Sequence, residues 1–164
     1  MNIFRPMNAI IFFAALIFAA CSGSSTNSSE AATTTTVATA SVKEATFISE
    51  AEFKKLVMNF EANPEEWIFE GEIPCIVSFT ASWCAPCRRM APILDELARD
   101  YAGKVNIYKV DVDHNRKVSA FFGVQSIPTM LFARMKGLPA LQPGGMGKEQ
   151  LVNAIENFLL KDES

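Results

Sequence analysis

Residues 75–87 read CIVSFTASWCAPC, and this stretch decides the fold. Residues 75–81 are largely apolar and rich in residues that favour β-structure, which predicts a buried central strand. Cys84 and Cys87 follow at the spacing C-x-x-C. Pro86 between them suits the first turn of a helix, because its missing N–H would be unpaired there anyway. The stretch therefore predicts a strand that leads directly into a helix with two cysteines at its start.

This cysteine spacing suits thiol–disulfide exchange. A thiolate at Cys84 would be stabilised by the backbone N–H groups and the dipole at the helix start, which makes Cys84 the better nucleophile. Cys87 follows about one turn later. It is close enough to attack a mixed disulfide on Cys84 and release the substrate thiol, so we assign it as the resolving cysteine.

The spacing alone leaves two other interpretations open. A C-x-x-C pair can be half of a zinc site, although the further ligands in this chain are limited to Cys21, Cys75 and the single His114. A purely structural disulfide is the other, but so short a loop would restrict the unfolded chain little. We interpret Cys75 as a small apolar strand residue, with a regulatory thiol as the alternative, and His114 as an exposed loop residue.

Outside this stretch the apolar residues follow strand and helix periods in turn. Strands are predicted near Thr46 and over residues 75–81, 105–110, 129–133 and 138–142. Helices are predicted from the capping box of Ser49 and Glu52 to Asn63-Pro64, from the cysteine motif to Tyr101, and around residues 118–122. Leu151, Ile155, Phe158 and Leu159 mark a closing helix. The order β-α-β-α-β-α, then strand, strand and helix, predicts an α/β fold with a central mixed sheet and helices on both faces.

The first 20 residues predict a signal peptide. Arg5 is their only charge, and the apolar run over residues 10–20 is shorter than the roughly 20 residues that span a bilayer. The run ends at Cys21 in a pattern that resembles the cleavage box of bacterial lipoproteins, which implies lipid attachment at Cys21. An ordinary signal peptide cut nearby is the alternative. Both interpretations place the protein outside the cytoplasm, in the cell envelope.

The remaining chain divides into a tether and one domain. Residues 21–45 are rich in Ser, Thr and Ala and lack large apolar side chains, which predicts a flexible tether. Residues 46–162 form the predicted domain. The whole sequence is 49% hydrophobic, and we expect the domain to build a core without disulfides. The net charge of -3 provides no basic surface, so we expect no nucleic-acid binding.

Two motifs give the domain a specific resemblance. Trp83-Cys84-Ala85-Pro86-Cys87 resembles the active-site signature of the thioredoxin family, and Ser126-Ile127-Pro128-Thr129 resembles its cis-proline loop. The 41 positions between Cys87 and Pro128 (128 − 87) are typical of compact thioredoxins. Residues 90–97, residues 110–113 and Gly144 also match. The likeness covers about residues 46–161 and implies a thioredoxin fold. With its leader, the chain is similar to envelope thioredoxins of Bacteroidetes-type bacteria.

The resemblance implies an enzyme, a protein-disulfide reductase that acts on envelope proteins by dithiol exchange. It implies a redox-active disulfide between Cys84 and Cys87, no cofactor and no metal, and a monomer that is recharged by a membrane electron donor. The residues expected to contact or support the bound substrate are Trp83, Ala85, Pro86, Ile127 and Pro128. A disulfide oxidase or isomerase is the first alternative, and a non-catalytic interaction module with the same fold is the second.

The chain departs from the family pattern behind the resolving cysteine. Thioredoxins carry a buried Asp where this chain has Ser78, and the Lys that pairs with that Asp is matched by Lys109. A serine hydroxyl is a poor base at neutral pH, so we expect proton transfer from Cys87 to be slower or mediated by water. Lys109, lacking its anionic partner, is expected either to stabilise the Cys87 thiolate or to extend its tip into solvent.

Overall fold

The structure is a computed structural model that describes residues 44–161. The described strands are β1 (Thr46–Phe47), β2 (Cys75–Thr80), β3 (Asn106–Asp111), β4 (Thr129–Ala133) and β5 (Ala140–Pro143). The described α-helices are α1 (Glu50–Leu56), α2 (Ala85–Asp100), α3 (Arg116–Phe121) and α4 (Lys148–Ala154), and α4 continues as a π-helix over Ile155–Leu159. The predicted signal peptide, Cys21 and nearly all of the predicted tether lie outside the described residues.

The five strands form one mixed sheet in the order β1-β3-β2-β4-β5. β1 and β2 run parallel to β3, whereas β4 pairs antiparallel with both β2 and β5. β2 is therefore hydrogen-bonded along both of its edges, and its first five residues are buried. This confirms the predicted buried central strand and the mixed sheet.

Helices cover both faces of the sheet, as predicted. Successive side chains of each strand point to opposite faces, so each strand contributes apolar residues to the core on either side. On one face, Ile76 packs in a core with residues of α2, α4 and the π-helix. On the other face, Val77 and Phe79 pack in a second core with residues of α1 and α3. The two cores hold β2 in place from both sides.

The predicted length of α1 is wrong. The capping box is present, with the Ser49 N–H donating to Glu52 Oε2 at 2.8 Å, but the helix ends at Leu56 rather than at Asn63-Pro64. Phe60 is buried all the same, because the following turns return it to the helix, where its ring lies 6.2 Å from that of Phe53. The apolar periodicity therefore continued into a segment that is not helical.

The ends of the chain's folded part also differ slightly from the prediction. Ala45 is buried, and its N–H donates to Asp95 Oδ1 at 3.2 Å, so packing begins one residue before the predicted domain start. β5 begins at Ala140 rather than at residue 138, and Leu138 remains 71% exposed. The predicted closing helix is present, beginning at Lys148 and continuing through Leu159.

We expect the core under α2 to dominate stability. Leu97 is 0% exposed, so Leu97→Ala should lower the free energy of unfolding by about 2–5 kcal/mol through lost burial and a cavity. Leu138→Ala removes the same atoms from an exposed side chain and should change it by no more than about 0.5 kcal/mol. Urea denaturation of both variants measures this difference, and equal losses would contradict the packing described here.

Candidate active site

Cys84 and Cys87 form a disulfide at the start of α2. Their sulfur atoms are 2.01 Å apart, and the two Cα atoms are 5.3 Å apart. Cys84 is the N-cap of the helix, and its Sγ accepts a hydrogen bond from the Cys87 N–H at 3.2 Å. A sulfur atom at this position faces the unpaired N–H groups and the positive end of the helix dipole, which stabilise a thiolate.

A tight connection holds this helix start against the end of β2. The Cys84 N–H donates to the Ala81 carbonyl at 3.1 Å, and the Arg88 side chain donates to the Ser82 carbonyl at 2.8 Å. Both cysteines are nearly buried, at 3% and 5% exposure. The position of the disulfide is therefore fixed by the buried central strand that precedes it.

Trp83 is exposed beside the disulfide, and a carboxylate holds its ring. The indole Nε1 donates to Asp113 Oδ2 at 2.8 Å, although 65% of the residue is accessible to solvent. Asp113 lies just beyond β3, and its N–H donates to Asp111 Oδ1. Sequence reasoning assigned no role to Asp113. The only sequence feature that could have indicated it is the match of residues 110–113 to the family pattern.

Ile127 and Pro128 bring a second loop to the disulfide. Their peptide bond is cis, and Ile127 packs against the small cluster that contains both cysteines. Thr129 Oγ1 donates to the Ser126 carbonyl at 2.7 Å, and the Gly144 N–H donates to the Pro128 carbonyl at 2.8 Å. Gly144 has φ 94°, a conformation that favours glycine, which explains this residue.

A groove runs between this loop and the tryptophan. We name it the Trp83 groove. Its volume is about 310 Å³, and it is lined by Trp83, Val112, Val124, Gln125, Ser126 and Ile127. Ala85 and Pro86 are exposed at the adjoining helix start. The structure thus brings Trp83, the disulfide and the cis-proline loop together at one end of the sheet.

The expectation that Lys109 lacks an anionic partner is wrong. Its Nζ lies 3.2 Å from Asp95 Oδ1 and 5.0 Å from the centre of the Phe47 ring, and its side chain is only 14% exposed. Asp95 follows Cys87 by eight residues (95 − 87), which is about two turns along α2. The counterion of Lys109 in β3 therefore comes from the same helix that carries Cys87. Sequence reasoning missed this pair because nothing in the pattern indicated which face of α2 meets Lys109.

Ser78 and Lys109 line a second opening. We name it the Cys87 cleft. Its volume is about 310 Å³, and Cys87 itself forms part of its wall. Ser78 pairs with Lys109 across β2 and β3 and is 1% exposed. The residue at the position of the usual buried Asp is thus a buried serine that lines the same cleft as Cys87.

Neither Cys75 nor His114 lines the Trp83 groove or the Cys87 cleft. Cys75 is buried on the face of the sheet that packs against α1 and α3, and burial raises the pKa of its thiol. The side chain of His114 is 82% exposed, with Nδ1 at 3.3 Å from Asp111 Oδ1. Across residues 44–161 no group of three or more His, Cys, Asp or Glu side chains could hold a metal ion.

None of the helices described over residues 44–161 has the length and apolar composition of a membrane-spanning segment.

Comparison with known proteins gives consistent matches. The thioredoxin family model matches residues 46–157. A thioredoxin of Haemophilus influenzae is 40% identical over 118 residues, which cover 72% of this chain and 100% of that protein. A thioredoxin of Borreliella burgdorferi is 36% identical over 114 residues, covering 70% and 97%. The crystal structure of chloroplastic thioredoxin z matches the fold with a TM-score of 0.59 and 22% identity, over 70% of this chain and 93% of that one.

We expect Cys75 to be unreactive in the folded protein. Burial hinders access to its thiol, and the raised pKa keeps the thiol protonated as the pH rises through the range where ordinary thiols ionise. After reduction, iodoacetamide at about pH 8 should modify Cys84 but leave Cys75 unmodified until the chain is denatured. Mass spectrometry of the digested protein measures this, and modification of native Cys75 would contradict its burial.

Proposed function

This chain belongs to the thioredoxin family, and on that premise we propose that it is a protein-disulfide reductase of the cell envelope. As a thiol–disulfide oxidoreductase of this family it uses a redox-active disulfide and needs no cofactor. The observation that carries the proposal is the Cys84–Cys87 disulfide at the N-terminus of α2, with Ile127 packed against it.

The reaction begins when both cysteines are reduced. The Cys84 thiolate attacks one sulfur of a substrate disulfide, the substrate S–S bond breaks, and the leaving sulfur takes up a proton. Cys87 then loses its proton and attacks Cys84 Sγ, which breaks the mixed disulfide and releases the second substrate thiol. Two electrons have passed to the substrate, and the protein is left with the disulfide seen in the structure.

Backbone geometry supports the order of these two attacks. The Cys87 N–H, at 3.2 Å from Cys84 Sγ, is a hydrogen-bond donor for negative charge on Cys84. Cys84 is the N-cap and is flanked by the exposed Trp83 and Ala85, whereas Cys87 lies one turn inside the helix, so we expect an external disulfide to meet Cys84 first. Cys84 is therefore the nucleophile and Cys87 the resolving cysteine in the proposed cycle.

The Trp83 groove is the proposed binding site for the substrate chain. An extended segment next to Ile127 would pair with the loop backbone in the manner of an added strand. Trp83, held by Asp113, would form the opposite wall and shield the Cys84 sulfur from solvent. The groove binds backbone and apolar surface rather than one specific side chain, which suits a protein that reduces several partners.

The proposal also includes electron flow from the protein to its substrates and a location in the cell envelope. Ala85 and Pro86 separate the cysteines, and neither supplies the histidine that often stabilises the first thiolate of oxidases. The apolar leader and Cys21 favour export and a lipid anchor that faces the periplasm. A membrane electron donor would recharge the disulfide there, and disulfide-bonded envelope proteins would be the substrates.

The redox equilibrium of Cys84 and Cys87 tests the direction of electron flow. Equilibration with dithiothreitol should give a reduction potential near the value of about −270 mV typical of thioredoxins. A value near the roughly −120 mV of strong oxidants would contradict the reductase and support an oxidase. A pair that exchanges with no disulfide at all would support the non-catalytic module.

The companion experiment identifies which sulfur meets the substrate. Cys87→Ser should accumulate mixed disulfides with partner proteins through Cys84, because the step that resolves them is missing. Cys84→Ser should trap none and lose reductase activity by at least about a thousandfold. Cys75→Ser is the matched control and should behave like the wild type. Non-reducing electrophoresis with mass spectrometry detects the trapped species, and trapping by Cys84→Ser would reverse the assignment.

A separate experiment tests the lipid anchor. Bacteria that express the full chain and are fed an alkyne-tagged fatty acid should label the protein and retain it in the membrane fraction. Cys21→Ser should abolish the label, whereas Cys75→Ser should keep it. An unlabelled wild-type protein in the soluble periplasmic fraction would contradict the lipid anchor but not export.

A further inference from the structure

Asn115 has unexpected hydrogen-bond partners for a residue at the start of α3. It is the N-cap of that helix, a position where an Asn side chain normally accepts a hydrogen bond from the first turn of its own helix. Its side chain makes no capping bond to α3, although the residue is only 7% exposed. A buried carboxamide needs hydrogen-bond partners, and those of Asn115 lie outside α3.

The carboxamide of Asn115 joins α1 to the turn after β3. Its Oδ1 accepts from the N–H of Glu50, the first residue of α1, at 2.7 Å, and its Nδ2 donates to the Asp111 carbonyl at 2.8 Å. The Asn115 N–H donates to the same carbonyl at 3.0 Å. The turn over residues 111–115 is thus closed by two hydrogen bonds and attached to the start of α1.

The same turn carries the carboxylate that holds Trp83. The Asp113 N–H donates to Asp111 Oδ1 at 2.9 Å, and Asp113 Oδ2 accepts from the Trp83 indole at 2.8 Å. Val112, also in the turn, lines the Trp83 groove. A continuous series of hydrogen bonds therefore runs from the start of α1, through this turn, to the indole at the groove.

We propose that Asn115 is a positioning residue for the binding of the substrate chain. Its carboxamide fixes the turn over residues 111–115 relative to α1, and the fixed turn places Asp113 where it orients the Trp83 ring. Because that ring forms a wall of the Trp83 groove, the groove has its binding shape before a substrate arrives, and less order has to be gained on binding. This role rests on the proposed function and names what keeps its binding site in shape.

Two disulfides of different size provide the kinetic test. A peptide disulfide with an extended segment occupies the Trp83 groove, whereas bis(2-hydroxyethyl) disulfide is too small to fill it. The reduced full-length protein is mixed with each, and the ratio of the two second-order rate constants reports on groove binding. Asn115→Ala should lower the ratio of peptide to small disulfide by about fivefold, a factor of the size expected for the loss of one hydrogen bond.

Two further variants separate positioning from stability. Val118→Ala removes buried apolar atoms from α3 without removing a hydrogen bond of the turn, so it should weaken the fold towards urea but keep the wild-type ratio. Asn115→Asp keeps an acceptor for the Glu50 N–H but has no donor for the Asp111 carbonyl, so it should lower the ratio by a smaller factor than Asn115→Ala. Its side chain has the native shape, so it provides the test even where Asn115→Ala disturbs folding.

The Trp83 indole resonance is a direct readout of the coupling. In reduced ¹⁵N-labelled protein, Asn115→Ala should move the Trp83 Nε1–H signal towards its position in Asp113→Ala, which lacks the acceptor. The Trp67 ring, stacked on Phe69 with the ring centres 6.3 Å apart, is the internal reference and should move much less. In the Asp113→Ala background, Asn115→Ala should lower the substrate ratio little further, because both substitutions act through the same contact.

The possible outcomes are distinguishable. A wild type that reduces neither disulfide would overturn the proposed function itself. A wild type that reduces both, with Asn115→Ala matching Val118→Ala in the substrate ratio, would overturn the positioning role alone. Full additivity of Asn115→Ala and Asp113→Ala would do the same. So would an Asn115→Asp variant with the wild-type ratio and the wild-type Trp83 resonance, since either result would separate the carboxamide from the Trp83 contact.

Discussion

The active site depends on the pairing of β2 along both of its edges. Hydrogen bonds to β3 on one side and to β4 on the other fix the strand in two directions, and the two cores fix it from above and below. The chain leaves this strand and enters α2 within four residues, 81–84. Rigidity in the strand is thus transmitted to the helix start, where an N-cap sulfur needs a defined position to meet the backbone N–H groups. The disulfide, the Trp83 groove and the Cys87 cleft are all arranged around this one junction.

Local patterns in the sequence were sufficient to predict much of this arrangement. The alternation of strand and helix periods located the central strand, β4 and α2, because those elements are buried and strongly periodic. The end of α1 was missed because Phe60 continues the helical spacing of apolar residues while lying in a turn. A side chain can be drawn into a core by aromatic packing without being helical, and spacing alone does not distinguish the two cases.

Pairings between distant segments could not be predicted in the same way. The contact between Trp83 and Asp113 spans 30 positions, and the contact between Asp95 and Lys109 depends on how α2 lies over β3. Neither residue type is unusual, and no local rule selects these partners from the other carboxylates. A lysine with a fixed counterion is a positioned charge rather than a mobile one, and Lys109 therefore holds its charge in the wall of the Cys87 cleft.

Cys75 shows how the sheet protects the selectivity of the exchange chemistry. It belongs to the same strand that leads to Cys84, yet its side chain packs in the core on the opposite face from α2. A thiol in the same core as the redox pair would compete for Cys84 during each cycle and could divert the protein into a dead-end bridge. Cys75 is the first residue of β2, whereas Cys84 and Cys87 lie beyond its last residue, so the length of the strand, at about 3.3 Å per residue, separates this bystander sulfur from the redox pair. Among the described residues, the correct bridge is selected by geometry before any difference in thiol reactivity acts.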